Sequence, residues 1–213
     1  MLPLFILSVA IQPADAERFA KWEKEVAAIE KRLADAPPKP GGVLFYGSSS
    51  IRLWDLKKSF PKKPYLNAGF GGSEVRDCTH FLPRLVTPHK PAVVVFYAGD
   101  NDIASGRKAE QVAEDFKAFC MALHKELPEC RVLYLPVKPS LARWSKFEEQ
   151  KKANALMKDL CSADKRLVYI DTVPGMLGAD GKPIPDLFVK DGLHMSPAGY
   201  EKWTALVSAA LEK

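Results

Sequence analysis

Five short stretches of the chain carry a strand pattern: Val43–Tyr46, Tyr65–Ala68, Ala92–Ala98, Arg131–Pro136 and Leu167–Ile170. Short apolar runs bounded by turn residues are predicted as buried strands. The near-continuous run Ala92–Ala98 predicts a central strand covered on both faces. Between the strands, apolar residues recur three and four apart, the spacing of one helical stripe. Phe19, Trp22, Val26, Ile29 and Leu33 predict a helix over 17–35, and Val112, Phe116, Phe119 and Leu123 one over 109–127. Further helices are predicted over 74–86 and 145–163, with a helix or turn starting over 51–56. A last helix runs to Leu211, with Ser196 as N-cap and Pro197 as its first residue. The first helix is expected to pack outside the sheet and to carry no chemistry. Strands alternating with helices predict an α/β fold, one parallel sheet with helices on both faces. No internal repeat, low-complexity segment or long linker divides the chain.

Composition narrows the class. The chain has 213 residues, enough for one domain with a sizeable core. Its net charge is +5, but the lysines are scattered. The densest cluster, Lys57-Lys58 and Lys62-Lys63, flanks Phe60-Pro61 and reads as a solvated loop. A nucleic-acid footprint needs an organised basic face with aromatics, and none is visible. No stretch reaches the ~20 apolar residues that span a membrane. The run Leu2–Ile11, followed by Ala14-Asp15-Ala16, predicts a signal peptide over 1–16, although no basic residue precedes it. The expected product is an exported domain over 17–213. The alternative is a buried N-terminal segment and a cytoplasmic protein. The four cysteines, Cys78, Cys120, Cys130 and Cys161, form no Cys-x-x-Cys pair. Their even number permits disulfides in an oxidising compartment, with buried free thiols as the alternative.

The chemistry collects where strands end. Ser48-Ser49-Ser50 follows the first strand across Gly47, a residue that lets the chain turn where a side chain would collide. In open α/β sheets, ligands bind at the carboxyl edge of the strands. A serine here is therefore placed as a nucleophile, or else caps the helix that follows. Gly69-Phe70-Gly71-Gly72-Ser73 follows the second strand. It is not a dinucleotide fingerprint, because Glu74 stands at the third glycine position. Asn101 follows the third strand, Lys138-Pro139-Ser140 the fourth, and Asp191-x-x-His194 precedes the last helix. A serine hydroxyl needs a base, histidine has a fitting pKa near ~6.5, and the imidazole needs a carboxylate partner. The backbone N–H groups of Ser49 and Gly72 and the Asn101 amide are candidate donors to an oxyanion.

These pieces together resemble the SGNH, or GDSL-type, hydrolases. Gly47-Ser48-Ser49-Ser50-Ile51 corresponds to block I, Gly69-Phe70-Gly71-Gly72 to block II, Gly99-Asp100-Asn101-Asp102 to block III and Asp191-Gly192-Leu193-His194 to block V. The resemblance implies Ser49 as nucleophile, His194 as base and Asp191 as its partner, with Ser49, Gly72 and Asn101 forming the oxyanion hole. It implies a three-layer α/β/α sandwich with a five-stranded parallel sheet, and neither metal nor organic cofactor. The expected substrates are small-molecule, polysaccharide or lipid esters, with short acyl chains favoured because no long apolar lid is evident. The family's usual block I has Asp before the nucleophile, and here Ser48 stands there. Ser48 and Ser50 thus remain fallback nucleophiles. The Gly-x-Ser-x-Gly elbow of the α/β-hydrolases is absent, since Ile51 holds its last position. The longer phrases around these motifs resemble a bacterial, often exported, subgroup of acylhydrolases. Lys138, Ser140 and Arg143 either border the pocket or build a structural loop. Non-catalytic carbohydrate or lipid binding and a flavodoxin-like nucleotide site are the rival readings.

Overall fold

The computed structural model describes residues 13–35 and 40–213, with side chains from Glu17 onward. The apolar run Leu2–Ile11 lies outside the described residues. Five strands form one sheet: β1 (Val43–Gly47), β2 (Leu66–Gly69), β3 (Val93–Tyr97), β4 (Arg131–Tyr134) and β5 (Leu167–Tyr169). Their order is β2-β1-β3-β4-β5, and every pair is parallel. The helices are α1 (Pro13–Ala20), α2 (Glu23–Asp35), α3 (Ser49–Arg52), α4 (Leu56–Ser59), α5 (Val75–Leu85), α6 (Asp100–Ala104), α7 (Ala109–Glu126), α8 (Phe147–Ala163) and α9 (Pro197–Leu211).

Alternate residues of the strands feed two cores. Leu44, Tyr46, Val94, Phe96, Val132 and Tyr134 pack beneath α2, α5, α7 and α8. Phe45, Val95, Tyr97 and Leu133 face the other way, against α3, α4, α9 and the loops before α9. The strands are apolar on both faces because both faces are covered. The three-layer α/β/α architecture with five parallel strands is therefore the one the sequence implies.

The connections depart from expectation in places. The helix predicted over 17–35 is two, broken at Lys21-Trp22, where the Trp22 N–H donates to the Phe19 carbonyl at 2.9 Å. The break serves two surfaces. Phe19 stacks on the His80 ring of α5 at 3.7 Å, whereas Trp22 meets Phe70, in the loop after β2, edge-on at 5.7 Å. The short helix α6 follows β3 directly and carries too few residues to show a period. Ser196 caps α9 by accepting from the Gly199 N–H at 3.3 Å, with Pro197 first in the helix. All four cysteines are buried free thiols, and none is disulfide-bonded. No helix of the described residues is long and apolar enough to cross a membrane.

Chain order and sheet order diverge at β1. The connection from β1 runs outward to β2, and the chain then returns to place β3 on the other side of β1. A crevice at the carboxyl ends of β1 and β3 follows from this reversal.

Trp203 of α9 is fully buried under the sheet, with ring centroids 5.0 Å from Tyr97 and 5.7 Å from Trp54. Trp203→Ala leaves a cavity there and should cost about 3–5 kcal/mol. Urea unfolding of the variant beside the wild type measures this, and a cost below about 1 kcal/mol would show that α9 is not anchored through this ring.

Candidate active site

β1 ends at Gly47, whose φ is +132°. A Cβ there would lie 1.9 Å from the Tyr97 carbonyl oxygen. Glycine alone allows this crossing, and the Ser48 N–H then donates to that same oxygen at 2.9 Å. Ser48 is the N-cap of α3 by backbone, yet its side chain makes no capping hydrogen bond. The capping alternative thus describes the position of Ser48 but not the work of its hydroxyl. Ser48 and Ser50 are buried, at 1% and 2% exposure, while Ser49 is partly open. Ser49 is the first residue of α3, so its N–H has no carbonyl one turn earlier to bond.

Ser49 Oγ lies 3.0 Å from His194 Nε2. His194 Nδ1 lies 2.6 Å from Asp191 Oδ2. The other carboxylate oxygen, Asp191 Oδ1, accepts the backbone N–H groups of Leu193 at 2.8 Å and His194 at 2.9 Å. One tight turn therefore holds the carboxylate and the imidazole together. The hydrogen bond with His194, with help from those two N–H groups and against partial burial, lowers the Asp191 carboxyl to about 2. An ionised carboxylate only accepts, so Nδ1 carries the ring proton and Nε2 is left to accept from the Ser49 hydroxyl.

The loops after β2 and β3 meet beside this pair. A Cβ on Gly72 would lie 3.8 Å from Asn101 Nδ2. Asn101 Nδ2 donates to the Ser73 carbonyl at 3.0 Å, and its Oδ1 accepts from Arg143 Nη2 at 3.0 Å. A carbonyl cannot donate and a guanidinium cannot accept, so these neighbours fix which end of the amide is nitrogen. One of its two N–H groups goes to Ser73, leaving the second. The arrangement can take a proton from a hydroxyl and can offer N–H groups to an oxygen nearby. Among the described residues no group of three His, Cys, Asp or Glu side chains is placed to hold a metal ion.

The sequence profile of the GDSL-like Lipase/Acylhydrolase family matches residues 49–202. The chain belongs to that family. No curated protein matches the chain in sequence. Among solved structures it is similar to a protein from Streptococcus pneumonia named for platelet activating factor, with a TM-score of 0.80 at 18% identity, covering 92% of this chain and 95% of the other. A GDSL-like lipase from Bacteroides thetaiotaomicron gives 0.73 at 20% identity over 91% and 97%. A carbohydrate esterase family 3 structure from Talaromyces cellulolyticus gives 0.64 at 17% identity over 80% and 96%. At these identities the likeness is one of fold.

In this member of the GDSL-like family the three residues proposed for a pocket wall separate. Lys138 is buried, its Nζ 3.1 Å from Asp100 Oδ2 and 3.2 Å from Tyr97 Oη. Ser140 is fully buried, and its hydroxyl has no hydrogen-bond partner among the described residues. Burial favours the structural-loop alternative for both. Arg143 reaches the site through Asn101, whose Oδ1 it bonds. The first helices do more than cover the sheet. Glu25 Oε1 accepts the Gly71 N–H at 3.0 Å and lies 3.2 Å from Arg52 Nη1 of α3. The Trp22 ring sits where a Gly71 Cβ would be, 2.1 Å from that point. These helices pack outside the sheet as expected, and they also brace the glycine loop. A polar residue on an exposed helix face gives no signal of such a role in sequence.

Asp102, next to Asn101, is buried, and both its oxygens lie near the Val75 N–H, at 3.1 and 3.3 Å. Burial, and then the negative charge of Glu74, push its carboxyl up to about 7. The unfolded value is ~3.9, so between about pH 4 and 7 the folded chain holds a proton that the unfolded chain has lost, and stability falls as pH rises. Asp102→Asn removes this loss. In urea the variant's advantage over wild type should be larger at pH 8 than at pH 5. An equal difference at both would mean that Asp102 is already charged in the folded protein at pH 5.

Proposed function

We propose that the protein is a serine esterase that cleaves carboxylic esters through Ser49, His194 and Asp191. The observation that carries this reading is the unbroken relay from Ser49 Oγ to His194 Nε2 at 3.0 Å, and from His194 Nδ1 to Asp191 Oδ2 at 2.6 Å. Ser49 Oγ attacks the ester carbonyl carbon as its proton passes to His194 Nε2. The Asp191 carboxylate stabilises the imidazolium through Nδ1–H. Negative charge gathers on the former carbonyl oxygen, where the N–H groups of Ser49 and Gly72 and the free N–H of Asn101 receive it. His194 then protonates the departing alcohol, and the acyl group stays on Ser49. Water, deprotonated by the same imidazole, attacks the acyl-enzyme and releases the acid.

The proposed substrates are esters of short acyl groups, including acetyl esters of saccharides. The resemblance in fold to a carbohydrate esterase supports the saccharide side of this reading. A groove of about 580 Å³ lies between α4 and α9, lined by Leu53, Met195, Pro197, Tyr200 and Thr204 among others. Leu53 and Met195 follow closely on Ser49 and His194 in the chain, and Leu53 is exposed. This groove supports a second reading, in which a longer acyl chain or a bulky alcohol lies there.

Hydrolysis of a p-nitrophenyl acyl series by the wild type and by Ser49→Ala tests the mechanism. The variant should lose roughly 10⁴–10⁶-fold in kcat. Ser48→Ala and Ser50→Ala should lose far less, and an active Ser49→Ala would transfer the role to one of them. A rate maximum at acetate supports the short-acyl reading, and a maximum at longer chains supports the groove. No turnover of any ester would favour a binding protein on this scaffold.

We also propose export, with cleavage after Ala16. Cleavage there retains Arg18, which bonds both oxygens of the buried Asp77 at 2.7 Å. N-terminal sequencing of protein recovered from outside the cytoplasm should begin at Glu17. Recovery of the intact chain from the cytoplasm alone would overturn this.

A further inference from the structure

Asp100 stands next to the proposed oxyanion donor Asn101 and is buried beside it. Its Oδ2 accepts from Lys138 Nζ at 3.1 Å and from the Tyr97 hydroxyl at 3.4 Å. Its Oδ1 accepts from Gln150 Nε2 at 3.2 Å and lies 2.9 Å from Arg143 Nη1. The carboxylate is therefore fixed by three residues besides Arg143, and it fixes that guanidinium in turn. The second arm of the same fork, Arg143 Nη2, reaches Asn101 Oδ1 at 3.0 Å.

We propose that Arg143 is a positioning residue of the esterase, acting through Asn101 by locking the carboxamide so that its free N–H is aimed at the oxyanion. This inference rests on the serine mechanism above. The amide is gripped at both ends, by a group that only donates and by a carbonyl that only accepts. Turned over, it would set N–H against guanidinium and oxygen against the Ser73 oxygen, and the oxyanion would meet a carbonyl oxygen. Without Arg143 only the Ser73 contact holds the orientation. The rest of the loop is tethered independently, since the Ala142 N–H donates to the Gly192 carbonyl at 3.0 Å. That bond joins the loop after β4 to the Asp191–His194 turn and does not involve the Arg143 side chain.

The test is a double-mutant cycle on p-nitrophenyl acetate with wild type, Arg143→Met, Asn101→Ala and the double variant. Losing one oxyanion donor outright typically lowers kcat by ~10²–10³, and losing its orientation should lower kcat by about 10–100-fold with KM nearly unchanged. Once Asn101 is alanine, Arg143→Met should change kcat by no more than about twofold, because the residue acts through the missing amide. Arg143→Lys keeps a cation opposite Asp100 and so protects the fold, but an ammonium lacks the fork that spans both acceptors. It should also lower kcat, and it replaces Arg143→Met in the cycle if the latter fails to fold. Effects that multiply in the double variant, or wild-type kcat in both Arg143 variants, would overturn the proposal. Ser49→Ala separates the two claims. If it is as active as wild type, the serine mechanism fails and takes this inference with it. If it is inactive and the cycle multiplies, only the role of Arg143 fails.

Discussion

The crossing of β1 and β3 at Gly47 and Tyr97 is the contact from which the site is built. The Tyr97 carbonyl occupies space that any Cβ on Gly47 would need, and it receives the Ser48 N–H. The Gly47 carbonyl in turn accepts the Phe70 N–H at 3.0 Å. Three strand ends are thereby locked at one height. The turn into α3 begins from β1, the glycine loop from β2 and α6 from β3, so Ser49, Gly72 and Asn101 start from one rigid edge. The distances between them are set by sheet spacing, and the loops have only to hold their own tips.

Those tips are held by arginine–carboxylate pairs. Arg18 grips Asp77 and Glu74 where α5 starts. Arg52 and Glu25 link α3 to the Gly71 N–H. Arg143 and Asp100 join the loop after β4 to α6. A guanidinium presents two parallel N–H groups, so it fixes an angle as well as a distance, which a lysine ammonium does not. A buried ion pair is poor evidence of stability, because desolvation offsets much of its attraction. Asp100 with Lys138 and Arg143 is therefore better understood as geometry, placed where an apolar cluster would fill the space but aim nothing.

The strands were legible because a parallel strand covered on both faces is apolar along its length, and only the end residues shifted. Asp191 and His194 were legible because their spacing by itself closes the turn in which one carboxylate serves the ring and two backbone N–H groups. The register within the three serines was not, since three identical side chains differ only in where the backbone turns them. Helix α6 and the break at Lys21-Trp22 left no trace because such short segments show no period. Lys138 and Ser140 left pocket border and structural loop equally open, because their burial, with Lys138 beside Asp100, is a tertiary fact. The cysteines left oxidation open, and burial of all four as free thiols answers it through packing, which no count of cysteines reveals.

Ser48, the departure from the family's block I, has a physical explanation in the same crossing. Its N–H bonds the Tyr97 carbonyl, and its own carbonyl accepts the N–H groups of Ile51 at 2.9 Å and Arg52 at 3.1 Å. Its side chain is buried and gives α3 no capping bond. What the position must provide is therefore an extended backbone between a glycine and a helix start, and serine provides that as aspartate does. A carboxylate there would bring a charge into a buried place, where it would need a partner. Serine avoids that need and leaves Asp191 as the carboxylate that His194 touches.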